Sequence, residues 1–442
     1  MNDHRSNATR RTVLAILGAG ALAGCLERDS SEEVDDVASA SPAPESESSP
    51  ESETEPEPEP EPREPTLWLE EDSRDRCRDA GESWRDCEAL DEWEVLQGSL
   101  EVETDRTYDG SQCAHLTADG DGGTVVRIPI DGYDLSRTTF SLAAYVETPG
   151  DHYSPFFDVN DPAHDQQLHF RSRHKIDEPG WLRYDLGVTF RSNAESADEP
   201  YLTVAWYGTD VDWYVDDIRA VPVTEDPHVI VQFDDSLRTT YDTAYPIMRE
   251  YGIPATVFTI TGRVGNSRSL TLEQMREMQD DGWEFGSHTV SHPRLGDLSP
   301  EEQREELEGS KRWLLENGFE ESAGLFAYPF GSFTAETVDV AADYYYFATH
   351  GQRGATNRTV TSPLSANRHP GDDPERSKEL VDLLMDETVP TDTLILYYHD
   401  VIEGHETWID PKGFRETMAY INEKDVPHLR TSDLWRHQLN RG

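Results

Sequence analysis

The 442-residue chain carries 89 Asp and Glu against 38 Lys and Arg, a formal net charge of −51 at pH 7. Residues 26–65 hold fifteen acids and two arginines (−13) and residues 1–25 contribute +2, which leaves −40 on the remainder, so the acidity is chain-wide. Such a surface excludes nucleic-acid binding, which needs clustered Lys and Arg, and it repels itself unless salt screens it, which reads as adaptation to concentrated brine.

The first 25 residues read as a targeting segment. Arg10-Arg11 precedes an uncharged run to Gly24 that is too short to span a bilayer well. The arginine pair resembles a twin-arginine export signal, and Leu22-Ala23-Gly24-Cys25 resembles a lipobox in which Cys25 is lipidated. An ordinary signal with a chance cysteine is the alternative. The resemblance implies an extracellular protein held to the outer face of the membrane by lipid alone. Residues 26–65 form an acidic Glu/Pro/Ser tract with no apolar face to bury, so a stiff, disordered linker is expected. Of the cysteines that follow, Cys77 and Cys87 are the nearer pair for a disulfide, with Cys113 as an alternative partner.

Between 66 and 225, short alternating segments are separated by turn residues. Trp93–Leu96, Gln112–Leu116, Thr124–Ile128, Thr139–Val146, Trp181–Leu186, Leu202–Trp206 and Trp213–Ile218 read as strands, and no helix of useful length appears. Regular strands with Gly-rich turns predict an all-β jelly-roll sandwich. Tyr108-Asp109-Gly110-Ser111, Trp181–Asp185 and Tyr214–Ile218 resemble, in that order, the carbohydrate-binding-like modules of the galactose-binding superfamily. That resemblance implies a structural calcium on Asp216 or Asp217. It also allows sugar stacking on exposed Trp and Tyr, although most sandwich aromatics are core.

From 226 to 442 strands alternate with helical segments, which predicts parallel strands joined by crossover helices, an α/β fold. Val229–Phe233, Ala255–Ile260, Trp283–Gly286, Leu325–Tyr328, Tyr345–Ala348 and Leu394–Tyr398 are the strands. Helices are expected over 241–251, 272–281, 300–315 and 334–343, the third opened by a Ser299-Pro300-Glu301-Glu302 capping box. Polar residues cluster just after the strands: Asp234-Asp235, His288 and His292, and His399-Asp400. In a (β/α) barrel, here distorted or incomplete, that position is the active-site rim. One Asp and two His spaced four apart suit a three-ligand hydrolytic metal site, which leaves the second Asp free to act as a base.

These residues resemble the polysaccharide deacetylases with a NodB homology domain. Phe233-Asp234-Asp235 is similar to the family's first motif, which implies that Asp234 is the base and Asp235 a metal ligand. His288-Thr289-Val290-Ser291-His292 is similar to the metal motif, and Ala327–Gly331 to the third, which implies an oxyanion contact from the Phe330 amide. Leu394–His399 is similar to the last motif, which implies that His399 is the general acid. The resemblance also implies a divalent cation, zinc first with cobalt, manganese or nickel as alternatives. It places Tyr328, Pro329 and Leu396 at the substrate, while Trp408 is expected either to line a sugar cleft or to pack in the core.

Two departures stand out. The arginine common two residues before the proline of the third motif is Ala327 here, and the Asp-Trp of the fourth motif has no counterpart. Arg368 can supply the missing guanidinium to Asp234, or it lies on the surface. The implied function is removal of acetyl groups, N-acetyl first, from an extracellular polysaccharide or oligosaccharide by a monomer. An O-acetyl esterase, a small cyclic-amide hydrolase and a catalytically dead carbohydrate-binding surface protein are the alternatives. The last predicts lost ligands, whereas both acids and all three histidines are present.

Overall fold

Three sheets organise the chain in the computed structural model, which describes residues 67–118, 120–147, 155–171, 178–195, 198–351 and 356–440. The expected signal, Cys25 and the linker through 65 lie outside the described residues. The first two sheets are antiparallel, have six strands each and face one another as a sandwich. One runs Ser99–Glu103, Cys113–Thr117, Asp212–Pro222, Thr138–Val146, Trp181–Asp185, with Glu82–Arg85 also paired to Asp212–Pro222. The other runs Phe190–Asn193, Gln166–Arg171, Phe156–Asp161, Tyr201–Trp206, Thr124–Pro129, Glu94–Gln97. Alternation sends Leu142, Ala144, Val146, Trp213 and Val215 into the sandwich core.

The third sheet has eight strands, all parallel, in the order Ala366–Asn367, Phe347–His350, Leu325–Ala327, Glu284–Ser287, Thr256–Thr259, His228–Phe233, Thr393–Tyr398, His369–Pro370. Its two outermost strands are separated in the chain by a single residue, Arg368. The sheet therefore closes on itself through that residue, and the result is a small barrel with a very short seam. The fold class expected from sequence, an α/β barrel with an all-β sandwich in front of it, is the one observed.

Side-chain parity decides what the barrel encloses. Ile230, Phe258, Leu325, Ala327, Phe347, Ala366 and Ile395 fill its interior. Val229, Val231, Phe233, Val257, Leu394 and Leu396 point outward into the helical layer. The helix Thr431–Leu439 closes the N-terminal end, with amides of Thr431 and Ser432 donating to Thr256 Oγ1 and Glu284 Oε1. The polar residues after the strands are thus left at the opposite, C-terminal rim.

Residues 67–77, expected to open the sandwich, instead pack on the barrel. The Leu69 amide donates to the Asp343 carbonyl, Arg74 pairs with Asp339, and Cys77 sits in the barrel-interior cluster. The strand Glu82–Arg85 then carries the chain across to the sandwich, where Cys87 is core. This crossing separates Cys77 from Cys87, and no disulfide forms among the described residues. A continuous apolar cluster also joins the sandwich core to the outer face of the barrel through Phe326, Tyr328, Phe333, Tyr345 and Leu364.

Candidate active site

Strand parity turns Ile230, Gln232 and then Asp234 toward the barrel axis, and the chain bends sharply immediately afterwards. Asp235 (φ 68°) and Ser236 (φ 48°) are left-handed, as are Thr289 (67°), His292 (70°) and Phe330 (59°). Half of the ten non-glycine left-handed residues among the described residues therefore lie in three rim turns. Each costs on the order of 1–3 kcal/mol, so the surrounding structure holds these turns against their own preference.

The turns bring Asp235, His288 and His292 together, with one ligand atom from each lying within 4.8 Å of the others. His292 Nε2 is 3.2 Å and His288 Nε2 3.7 Å from Asp235 Oδ1. His288 Nδ1 lies 2.7 Å from the Ala327 carbonyl oxygen. A carbonyl can only accept, so that nitrogen carries the proton and Nε2 offers a lone pair. Burial lowers the pKa of both imidazoles, that of His292 to about 4, with His288 adding to the shift in His292. Both rings are therefore neutral, as metal ligands must be. Asp235 Oδ1 is buried with no hydrogen-bond partner among the described residues. An anionic oxygen, the free lone pair of His288 Nε2 and a second neutral imidazole fit a divalent cation.

The turn carrying both histidines is held from the helix Pro300–Glu316. Glu306 accepts the amides of Val290 (2.9 Å) and Ser291 (2.8 Å) and the Ser291 hydroxyl (2.6 Å). Sequence alone gave no signal for Glu306. Glu306→Ala is expected to weaken metal retention about 10- to 100-fold, read as metal content after dialysis against a graded chelator.

Arg368 reaches across the barrel from the seam. Its Nη1 and Nη2 donate to Asp234 Oδ1 (2.8 Å) and Oδ2 (2.6 Å), and Nη1 also donates to Gln232 Oε1 (3.1 Å). The Tyr397 ring lies 4.2 Å from the guanidinium carbon, and Arg368 is only 1% exposed. Burial pushes the Asp234 carboxyl up, but the Arg368 guanidinium outweighs it and holds the carboxyl at about 2. Asp234 is thus ionised and oriented. His399 Nε2 is 3.9 Å from Asp234 Oδ2, and the His399 ring packs on Trp408 at 4.6 Å.

Asp372, which sequence reasoning passed over, faces His399. Burial pushes its carboxyl up to about 6, against the pull of His399 and the Ile409 amide. Asp372 Oδ1 and His399 Nδ1 are both buried without a hydrogen-bond partner among the described residues. The only available signal was its place after His369-Pro370-Gly371.

Several expected contacts fall elsewhere. Tyr328 follows Ala327 with outward parity, is buried against the sandwich, and donates its hydroxyl to the Leu364 carbonyl (2.9 Å). Leu396 points into the helical layer; its neighbour Tyr397 is the inward residue. Pro329 is buried and opens the tight turn that carries Phe330. Phe330 is 60% exposed, with its ring 4.5 Å from that of His292. Asp216 accepts the amides of Tyr108 and Asp109 on Oδ2 and that of Asp217 on Oδ1. Asp217 is taken by Arg183 (2.9 Å) and Arg219 (3.0 Å). Among the described residues, Asp235, His288 and His292 are the only group of three His, Cys, Asp or Glu side chains placed to hold an ion.

Residues 222–348 match the polysaccharide deacetylase family. The deacetylase match contains Asp234, Asp235, His288, His292 and Phe330 and ends before Arg368 and His399. The Bacillus subtilis protein YxkH, named as a polysaccharide deacetylase, is 36% identical over 32% of this chain and 48% of its own. A poly-beta-1,6-N-acetyl-D-glucosamine N-deacetylase of Staphylococcus aureus is 34% identical over 25% of this chain and 43% of its own. The chain thus spans about half the length of these curated relatives. The solved Streptococcus pyogenes deacetylase PplD, in complex with acetate, is 35% identical over 32% of this chain and 62% of that chain, with a TM-score of 0.29.

Proposed function

We propose that this chain is a metal-dependent hydrolase that removes acetyl groups, N-acetyl first, from an extracellular polysaccharide. The observation that carries the reading is the division of labour between adjacent acids: Asp235 faces two neutral imidazoles, while Asp234 is locked to a guanidinium. Asp235, His288 and His292 would hold a divalent cation, which when bound would supply Lewis acidity to the acetyl carbonyl and acidify the attacking water.

Asp234, kept ionised by Arg368, accepts the proton of the water that attacks the acetyl carbon. The Phe330 amide, in its left-handed turn, donates to the carbonyl oxygen as negative charge develops there. His399, protonated, gives its proton to the departing amine nitrogen, and Asp372 stabilises the imidazolium beside it. Acetate and a free amine result. Trp408 and the exposed Phe330 ring flank this centre and suit a sugar ring. The polysaccharide part of the proposal also rests on the N-deacetylase named among the relatives, and the extracellular location on the sequence of residues 1–65.

Acetate release from a panel of acetylated oligosaccharides is the test. It is expected to disappear with chelator and return when zinc or cobalt is added back. Release that persists through complete metal removal would sink the assignment. Preference for O-acetyl over N-acetyl sugars in the same panel would favour the esterase reading.

A further inference from the structure

The sandwich touches the barrel at the segment that leads into Arg368. The outer face of the strand Trp181–Asp185 presents Asp185 to residues 361–362. Its Oδ2 accepts the amides of Thr361 (3.0 Å) and Ser362 (2.9 Å), and its Oδ1 accepts the Thr361 hydroxyl (2.6 Å). Arg183 and Ser141, from the same sheet face, also bond the Thr361 hydroxyl. Further along, Asn367 Nδ2 donates to the Asp185 carbonyl oxygen (3.0 Å).

Parity makes this grip consequential. Ala366 points into the barrel, Asn367 outward to the sandwich, and Arg368 inward again to Asp234. The strands on either side of Arg368 are two residues each, paired at only four positions. Pairing that short specifies register weakly on its own. The seam that carries the guanidinium therefore needs an anchor outside the barrel.

We propose that the sandwich is a built-in part of the catalytic apparatus, in which Asp185 is a positioning residue that clamps residues 361–367 and so holds Arg368 on Asp234. The inference rests on the hydrolase reading for its catalytic half and on geometry alone for its structural half. It differs from a separable sugar-binding module, which would touch the barrel through exchangeable surface.

Asp185→Ala, made in the full chain, leaves the amides of Thr361 and Ser362 without their acceptor. Amide hydrogen exchange over 361–370 is expected to quicken, while that over 284–292 is unchanged. With metal content unaltered, kcat should fall about tenfold at constant KM. Asp185→Asn, which keeps a carbonyl acceptor, should recover part of both. If Asp185→Ala does not fold, Thr361→Val removes only the hydroxyl and should give a smaller change in the same direction. Unchanged exchange over 361–370 overturns the clamp whatever the activity. Faster exchange with wild-type kcat overturns the link to Arg368. A wild-type protein that releases no acetate from any substrate removes the hydrolase reading and with it the catalytic half, and exchange alone then decides the structural half.

Discussion

Asp235→Ala is expected to lose bound metal and to lower acetate release on the order of 10³-fold or more, because it removes the only anionic ligand of the site. Two neutral imidazoles would remain, and His292 is held largely by its own turn, through the bond from its amide to Thr289 Oγ1 (2.9 Å). The informative comparison is with the adjacent residue. Asp234→Asn should keep its metal, since Asp234 faces Arg368, yet lose turnover about 10²- to 10⁴-fold through the missing base. Elemental analysis of dialysed protein, run beside acetate release, separates the two. Equal metal loss in both variants would mean that the adjacent acids share one job. Full activity of Asp235→Ala after metal removal would end the assignment of Asp235.

What could be read from sequence follows from where the signals are local. An apolar run stopping at two acids, and two histidines four apart after a second run, marked the rim because charges cannot sit unpaired at a strand end. Inside and outside of the barrel were not legible in the strand Thr393–Tyr398. Thr-Leu-Ile-Leu-Tyr-Tyr is apolar or aromatic nearly throughout, as buried parallel strands are. Nothing in that run tells Leu396 from Tyr397, and the substrate contact was assigned to the wrong parity. Arg368 sits between strands of two residues, below the length at which periodicity carries information. The helices Pro374–Leu384 and Pro411–Glu423 were missed although Asp373-Pro374 and Asp410-Pro411 are N-cap pairs. Asp216 differs in kind: a carboxylate that accepts three backbone amides looks, in sequence, the same as one that faces solvent.

Arg368→Met is expected to cut turnover about 10²-fold with metal content unchanged, and to destabilise the fold by about 3–5 kcal/mol at neutral pH, the usual cost of leaving a buried partner charge uncompensated. The pH dependence separates this from simple loss of packing. In the native protein Asp234 is held at about 2, below the ~3.9 of an unfolded aspartate. The stability this depression contributes is fully present above about pH 4 and is lost as pH falls through about 2. Without Arg368, burial is the leading influence left on the carboxyl, and it raises the pKa. The variant then pays most where Asp234 must stay charged. Its deficit against wild type, read as urea midpoints at several pH values, should be largest at neutral pH and shrink as acid protonates Asp234. Adding Asp234→Asn to Arg368→Met should recover part of the stability but none of the activity, because the two residues share one interaction. A deficit independent of pH would assign Arg368 to packing at the seam, and normal turnover would remove it from the site. Because the same guanidinium closes the barrel and holds the base, loosening the seam and disabling Asp234 are expected to occur together.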